Sequence, residues 1–467
     1  MNPQLFASSS HKPGFIEACI LILLISGLNG ILQGYPESLE VIIMAKGASY
    51  SDQAVLSLNK YPFMFKIFFV PFLDMYYVKK LGKSKTLILI SGFALFLLLF
   101  FFGVNSEHYI KSNSIWVIAS LWFFITIFGV LILLGADTWS LTLFQGDRKH
   151  MGGILLATGV STGMAIGYNL FVLLNSQDWW NEHILKSSSW KLQREIVTHK
   201  GFIRGVSFVI LFTTIYCLFF VKEKVVETSR TKTLGHNFKT TKRMLQVTPI
   251  FKMLVIFFFD QVFVFFFNKS IELKFIEYGV DKAHLVNIHS SVLPIKLALM
   301  ALAPFYAKKS YLIRQVLGFQ IGTIMGALLL LAIAWSMSSG SEPNSTWMML
   351  GFMLREMVFI SRQLMFSKVT EVIPEDIGAT AYTIFAVVNN CAEDIPPSIG
   401  LKVVDLVAER TFFKIVLVSI SIQFIAVCSL RPLAVHVDHA RVDDFNFGME
   451  QDEEGSLAAE SGTRLVQ

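Results

Sequence analysis

Twelve long apolar runs limit the folds that this chain can adopt. They lie near residues 15–44, 52–78, 86–105, 114–142, 150–175, 202–221, 249–279, 284–307, 311–338, 346–373, 377–406 and 412–430. A helix needs about 20 mostly apolar residues to cross a bilayer, and the runs are close to that length or longer. Charged residues make up only 16% of the 467 residues, whereas a soluble domain carries about 25%. The sequence therefore predicts an all-α membrane protein with twelve transmembrane helices.

A polar, basic segment divides the twelve runs into two groups of six. Seven Lys and Arg residues lie between Lys222 and Arg243, without apolar periodicity. We predict a cytosolic N-terminus at 1–14, a six-helix bundle at 15–221, a basic cytosolic linker at 222–248, a second six-helix bundle at 249–432 and a disordered acidic cytosolic tail at 433–467. Two six-helix halves resemble the parallel repeats of the major facilitator fold, whose site lies near the midplane between them.

Basic residues also indicate the orientation of the chain. With both termini in the cytosol, the inside loops hold about sixteen Lys and Arg residues and the outside loops about ten, as expected because cytosolic loops carry excess positive charge. The net charge of +6 suits basic loops beside anionic lipid, and no basic domain indicates nucleic-acid binding. We expect a lipid bilayer and a small-molecule substrate as partners, no nucleic acid, no metal and no cofactor. Homodimer formation is left open.

The stretch from residue 61 to residue 85 joins an apolar helix to a cationic turn. A lysine at the depth of Lys66 costs about 2.5–3.5 kcal/mol on insertion scales, so we expect it to face a polar cavity or an acidic partner. Gly82 permits a tight turn. This hairpin resembles the junction of the second and third helices in major facilitator transporters, although Lys79 stands where they usually have an acid. The residues that we assign to gating are Asp74, Gly82, Lys83 and Asp137.

Other runs carry residues that indicate either close helix packing or contact with water. Three glycines spaced four residues apart, from Gly159 to Gly167, predict a seam for close helix approach. Asn268 and Glu272 share a polar stripe on the seventh run, which indicates a water-filled pathway more often than contact with lipid. Glu37 follows a glycine-rich segment of the first run, and it lies either in a cavity or at the outer membrane interface.

Several motifs, taken in order and spacing, resemble the acetyl-coenzyme A transporter family. The resemblance is densest at 61–85, 135–142, 152–170, 273–285 and 377–400. It implies a non-enzymatic, alternating-access solute carrier that moves acetyl-CoA from the cytosol into the lumen of the endoplasmic reticulum or Golgi. Where the family continues with Gly-Gly-Asn-Trp-Pro, this chain has Ala392-Glu393-Asp394-Ile395-Pro396. Two acids thus replace small and amide residues.

A site for acetyl-CoA needs cations for phosphate, aromatic rings for stacking and amides for the pantetheine arm. The residues that we predict to contact the substrate are Tyr35, Tyr61, Lys66, Asn169, Lys274, Lys296, Tyr382 and Asn389. The sequence does not indicate whether a proton or an exchange partner drives transport.

Three alternatives stay open at the level of sequence. The first is transport of another large solute, such as a nucleotide-linked metabolite or a muropeptide-like compound; Glu37, Glu393 and Asp394 would favour a less anionic or cation-bearing one. The second is a membrane-embedded acyltransferase with His289 as base, for which no supporting constellation is apparent. The third is a receptor or scaffold that has lost transport.

Overall fold

The computed structural model describes residues 14–69, 77–78, 80–144, 149–186, 190–221, 223, 242–307, 311–372 and 378–440, and its regular elements are helices. Eight of the described helical segments are long and apolar enough to cross a membrane. The other four predicted runs, near 52–78, 284–307, 346–373 and 377–406, are also helical in much of their described length. The chain is therefore an all-helical, multi-pass membrane protein.

The first half of the chain contains eight α-helices and three non-α helical turns within its described residues. They are α1 (Phe15–Met44), α2 (Tyr50–Leu56, continued by a 3-10 helix at Ser57–Phe63), α3 (Lys83–Lys111), α4 (Ile115–Leu143), α5 (Lys149–Ala165, continued by a π-helical turn at Ile166–Leu170), α6 (Phe171–Asn175), α7 (Gln177–Trp179, continued by a π-helical turn at Trp180–Ile184) and α8 (His199–Phe220).

The second half contains eight further α-helices among its described residues. They are α9 (Thr248–Phe259), α10 (Val262–Glu277), α11 (Lys282–Ala307), α12 (Leu312–Ser338), α13 (Ser345–Arg355), α14 (Met357–Val372), α15 (Gly378–Leu406) and α16 (Glu409–His439). The last helix continues to His439, past residue 432 at which we placed the end of the second bundle.

Two hydrophobic cores hold the helices together. One core consists of residues between Ala18 and Val221, joined by Val286 of α11. The other consists mainly of residues between Met244 and Val437, and Tyr50 and Ala54 of α2 pack into it. Each half of the sequence therefore has its own core, and α2 and α11 pack across the boundary between the halves.

Glycines bring α1 and α5 into backbone contact. A Cβ atom added at Gly163 would overlap the backbone of Gly27 and Gly30, and one added at Gly167 would lie 2.7 Å from the carbonyl oxygen of Ile31. Side chains at these positions would force the two helices apart, because interhelical contact at this distance is possible only between small residues. The predicted seam on the fifth run is thus confirmed.

The long helices are interrupted where they pass the centre of the molecule. One break lies between α9 and α10, and Gln423 of α16 satisfies the backbone groups that it frees. Its side-chain amide donates to the carbonyl oxygens of Phe259 (3.0 Å) and Asp260 (2.6 Å) and accepts from the backbone N–H of Phe263 (2.9 Å). Broken helices are tolerated inside a membrane protein only where the freed groups find such partners or line a cavity.

Candidate functional site

A cavity lined by several charged side chains lies between the two halves of the chain. Its two adjoining lobes have volumes of about 200 Å³ and about 270 Å³ and share wall residues such as Glu37, Lys60 and Ser161 from the first half and Glu393 and Asp394 from the second. The helix irregularities supply much of the wall. Some wall residues lie at or beside a helix break, a proline or a non-α turn. They are Glu37, Ser57, Lys60, Ala165, Tyr168, Asn169, Arg355, Glu356, Val358 and Pro397.

Two ion pairs belong to the first half. Lys66 pairs with Asp137 of α4, and its side chain is only 3% exposed. Lys60, on the 3-10 helix, pairs with Glu37 of α1 at 2.8 Å between Nζ and Oε1. Both pairs line the lobe of about 270 Å³. Lys66 therefore has both features that its position predicted as alternatives, an acidic partner and a polar cavity.

The second half contributes two arginines, each with carboxylate partners. Arg362 of α14 pairs with Glu393 of α15 at 2.5 Å. Its Nε donates to the side-chain oxygen of Gln261 at 3.0 Å, and the Gln261 amide donates in turn to Asn389 at 3.0 Å. Asn389 is thus held by a chain of hydrogen bonds that begins at the arginine.

The other arginine lies in the smaller lobe, at the junction of α13 and α14. Arg355 lies 3.5 Å from Glu272 and 3.8 Å from Glu356. Glu272 also accepts a hydrogen bond from Tyr168 of the first half at 3.1 Å and lies 3.5 Å from His289. Glu272 is therefore the centre of a network that joins both halves.

Further contacts cross between the halves. Lys269 of α10 pairs with Glu40 of α1 at 3.1 Å. Three more contacts lie nearer the end of the molecule at which α1 terminates. The hydroxyls of Ser57 and Ser398 are 2.7 Å apart. The Tyr50 hydroxyl donates to Glu277, and the Ser51 hydroxyl donates to Asp405 at 2.6 Å. These contacts hold that end of the two halves together.

The charges around the cavity do not balance. Among the described residues that line it, five are lysine or arginine and seven are carboxylates. Each of the five cations has a carboxylate partner. The carboxylate of Asp394 has neither an ion pair nor a hydrogen bond among the described residues, and it lines both lobes. Acidic side chains therefore outnumber basic ones among the described residues of the cavity wall.

Three asparagines present unsatisfied amide groups to the cavity. Asn59 is 4% exposed, Asn268 8% and Asn169 9%, and the side chain of each lines one of the lobes. None of them has a side-chain hydrogen bond to another described residue. Because buried polar groups are nearly always hydrogen-bonded, these amides are available to water or to a bound solute.

The structure places the predicted substrate contacts in several environments. Lys66, Asn169 and Asn389 line the cavity. Tyr35 is fully buried in the first core instead, where its hydroxyl lies 2.9 Å from His199. Tyr61 does not line either lobe, and Lys274 pairs with Glu277 at 2.8 Å. Lys296 and Tyr382 lie on α11 and α15, and their side chains are outside the described part of the structure.

The predicted gating residues are likewise separated. Asp74 lies outside the described residues, and Asp137 lines the cavity. Gly82 has φ = 94°, a left-handed conformation that favours glycine, and Lys83 begins α3. Sequence analysis did not identify Glu223 as the acid at this turn.

Glu223 fixes the start of α3. Its carboxylate accepts from the backbone N–H groups of Ser84 (3.2 Å) and Lys85 (2.7 Å), where a negative charge is favourable at a helix N-terminus. The Lys85 ammonium donates to the carbonyl oxygens of Leu218 (2.9 Å) and Val221 (2.7 Å) at the end of α8. The turn is therefore attached to the start of the linker rather than to the cavity.

Comparison with known proteins agrees with the resemblance noted in the sequence. Residues 21–237 match the family model described as acetyl-coenzyme A transporter 1. The first half of this chain carries the signature of that family. The recognition made from the sequence motifs is thus confirmed over these residues, which do not include the motifs at 273–285 and 377–400.

Two yeast relatives match different lengths of the chain. An uncharacterized membrane protein of Saccharomyces cerevisiae is 25% identical over 248 residues, which cover 48% of this chain and 43% of that protein. The chain therefore spans less than half the length of this relative. An uncharacterized protein of Schizosaccharomyces pombe is 21% identical over 394 residues, which cover 82% of this chain and 74% of that protein.

The fold has a counterpart among solved structures. The chain is similar to FucP, a major facilitator superfamily transporter crystallised in the outward conformation, with a TM-score of 0.54 and 13% identity. The similarity covers 88% of this chain and 98% of FucP. At this identity the comparison establishes the fold alone.

Proposed function

We propose that this protein is an alternating-access transporter whose solute occupies the cavity between two six-helix bundles at 15–221 and 249–432. The bundles comprise twelve transmembrane helices and are joined by the basic linker at 222–248, with both termini in the cytosol. The observation that carries this proposal is the cavity with its ionisable wall residues, because ionisable groups at bilayer depth are costly and face a bundle interior or a pathway for solutes.

The contacts between the halves support a cavity that is closed at one end. Tyr50–Glu277, Ser51–Asp405 and Ser57–Ser398 join the halves at the end where α1 terminates. In the proposed orientation this end faces the lumen. Transport then requires these contacts to break, so that the halves separate at the lumenal end and approach each other at the cytosolic end.

For the solute itself, the family match over residues 21–237 supports acetyl-CoA, moved from the cytosol into the lumen of the endoplasmic reticulum or Golgi. Acetyl-CoA carries several phosphate charges, which would have to be offset by cations inside the cavity. Binding it would require arginine or lysine side chains to exchange their present carboxylate partners for phosphate.

The charges of the cavity favour a second candidate, a less anionic solute. All five described cations are paired with carboxylates, and Asp394 adds a carboxyl group that has neither an ion pair nor a hydrogen bond among the described residues. A polyanion would meet this acidic surface with an unfavourable interaction, since like charges repel more strongly in a site that excludes water.

Uptake into proteoliposomes separates the two candidates. Purified full-length protein is reconstituted, and entry of labelled acetyl-CoA is measured with and without excess CoA or ATP. Saturable uptake that CoA esters inhibit supports acetyl-CoA. Background uptake of acetyl-CoA, equal to that of protein-free liposomes, rejects acetyl-CoA as the solute.

Alternating access can be tested without knowing the solute. Ser161 lines both lobes, and Ser161→Cys is made after replacement of the four native cysteines. A membrane-impermeant maleimide should modify this cysteine from either side of sealed vesicles. Modification from one side alone, whatever solute is present, contradicts transport through this cavity.

A further inference from the structure

We infer that Asp394 is the specificity-determining residue of the cavity and that it binds an ammonium group of the transported solute. The inference rests on the transport function proposed above and names the class of solute: a polar, amine-bearing compound of neutral or positive net charge. The three unsatisfied asparagines would hydrogen-bond its amide or hydroxyl groups.

The position of Asp394 is the first observation. It lies on α15, one turn after Asn390 and beside Glu393, and it forms part of the wall of both lobes. Two cations, Lys60 and Arg362, interact electrostatically with Asp394, but they form their ion pairs with Glu37 and Glu393 instead. A solute in either lobe can therefore reach this carboxylate without displacing another partner.

The charge of the whole cavity is the second observation. Seven residues with carboxyl groups and five with cationic groups are among the described residues that line the cavity, so acidic side chains outnumber basic ones by two. A carboxylate that has neither an ion pair nor a hydrogen bond is unfavourable at this depth, and a solute ammonium group would supply that partner.

The unsatisfied amides are the third observation, and they are independent of the charges. Asn59 lines the larger lobe, and Asn169 and Asn268 line the smaller one. Each is more than nine-tenths buried and has no side-chain hydrogen-bond partner in the described part of the chain. An asparagine amide can both donate and accept, so these residues suit a solute with hydroxyl or amide groups on either side of its charged nitrogen.

The test compares amines with their fully N-acetylated counterparts, in which every amine nitrogen carries an acetyl group and no positive charge remains. Full-length protein in detergent is heated with glucosamine, spermidine or the dipeptide lysyl-alanine, each beside its N-acetylated form, and with acetyl-CoA and CoA. A ligand that binds the folded state raises the melting temperature. We expect at least one amine to stabilise the protein and its N-acetylated form to have little effect.

Substitutions then assign the effect to Asp394. Loss of a hydrogen bond to a charged group weakens binding by about tenfold or more, so Asp394→Asn should require at least that increase in amine concentration for the same stabilisation. Asp394→Glu keeps the charge and should retain preference for the amine over its N-acetylated form. Glu342→Gln, in an exposed loop, is the matched acid-to-amide control and should behave like the wild type.

Three results overturn the inference. They are stabilisation by acetyl-CoA or CoA that exceeds that by every amine, absence of any amine-dependent shift, and an amine shift that Asp394→Asn leaves unchanged. Labelling of Ser161→Cys from both sides tests transport separately. A protein that alternates but does not prefer amines overturns the assignment of Asp394 and leaves the transport function standing.

Discussion

The ion pair between Lys66 and Asp137 should be one of the most strongly coupled pairs in the first half. The side chain of Lys66 is 3% exposed and that of Asp137 is 13% exposed, so neither charge is well solvated when its partner is removed. Breaking a buried pair by removal of one partner costs about 3–5 kcal/mol. We therefore expect Lys66→Met to destabilise the protein by about 3 kcal/mol or more.

This cost should be visible in thermal unfolding of the purified protein. For a domain of about 200 residues, 1 kcal/mol corresponds to about 2–4 °C, so Lys66→Met should lower the melting temperature by roughly 6 °C or more. Asp137→Asn leaves the lysine without its partner and should also be destabilising. The double variant, Lys66→Met with Asp137→Asn, should lose much less stability than the two single losses added together, because no unpaired charge remains.

Two outcomes would refute this reasoning. If Lys66→Met changes the melting temperature by no more than about 2 °C, as a typical surface substitution does, the pair is not desolvated as described. If the two single effects simply add in the double variant, the residues are not coupled, since contacting residues show interaction energies of about 0.5–3 kcal/mol.

Three further perturbations test other parts of the structure. Gly163→Ala, whose added Cβ would meet the backbone of Gly27, should destabilise by about 1–3 kcal/mol in thermal unfolding, and Gly205→Ala, where nothing lies within 4 Å, should not. Tyr50→Phe removes a hydrogen bond to a carboxylate and should raise modification of Ser161→Cys from the end where α1 terminates by about tenfold; an unchanged rate would show that this contact does not close that end. Glu223→Gln should weaken the start of α3, seen as faster proteolysis of the turn, and protection equal to the wild type would contradict its role there.

Local features of the sequence were sufficient to predict the helices. Apolar runs predict membrane spans because a helix satisfies its own backbone hydrogen bonds. The glycines at four-residue spacing predicted a close helix contact because such residues share one helix face. The cost of burying Lys66 predicted either a partner or a cavity, and the structure has both. These predictions depend only on residues close together in the chain.

Features that depend on distant parts of the chain could not be predicted in the same way. Tyr35 is adjacent to a cavity residue in sequence, but its ring packs against Trp122 and Phe171 of other helices. The pair Lys269–Glu40 joins α10 to α1, and no spacing within either helix indicates it. For this reason the sequence revealed available cations, whereas only the structure shows that carboxylates already pair with them.

The acids at 393 and 394 show how these two kinds of information combine. The sequence alone identified them as a departure from the family motif. The structure shows that they differ, because Glu393 pairs with Arg362 and the side-chain carboxyl of Asp394 has neither an ion pair nor a hydrogen bond among the described residues. A departure in sequence thus becomes a specific hypothesis about which solute the cavity accepts.

The relative motion of the two halves is the central claim, and a distance between spin labels measures it most directly. Lys46 and Leu406 are exposed residues of the first and second half at the same end of the molecule. Labels on Lys46→Cys and Leu406→Cys, in protein without its native cysteines and reconstituted in lipid, should give two distance populations. Tyr50→Phe should increase the longer one. A single distance that neither Tyr50→Phe nor any solute changes would contradict alternating access.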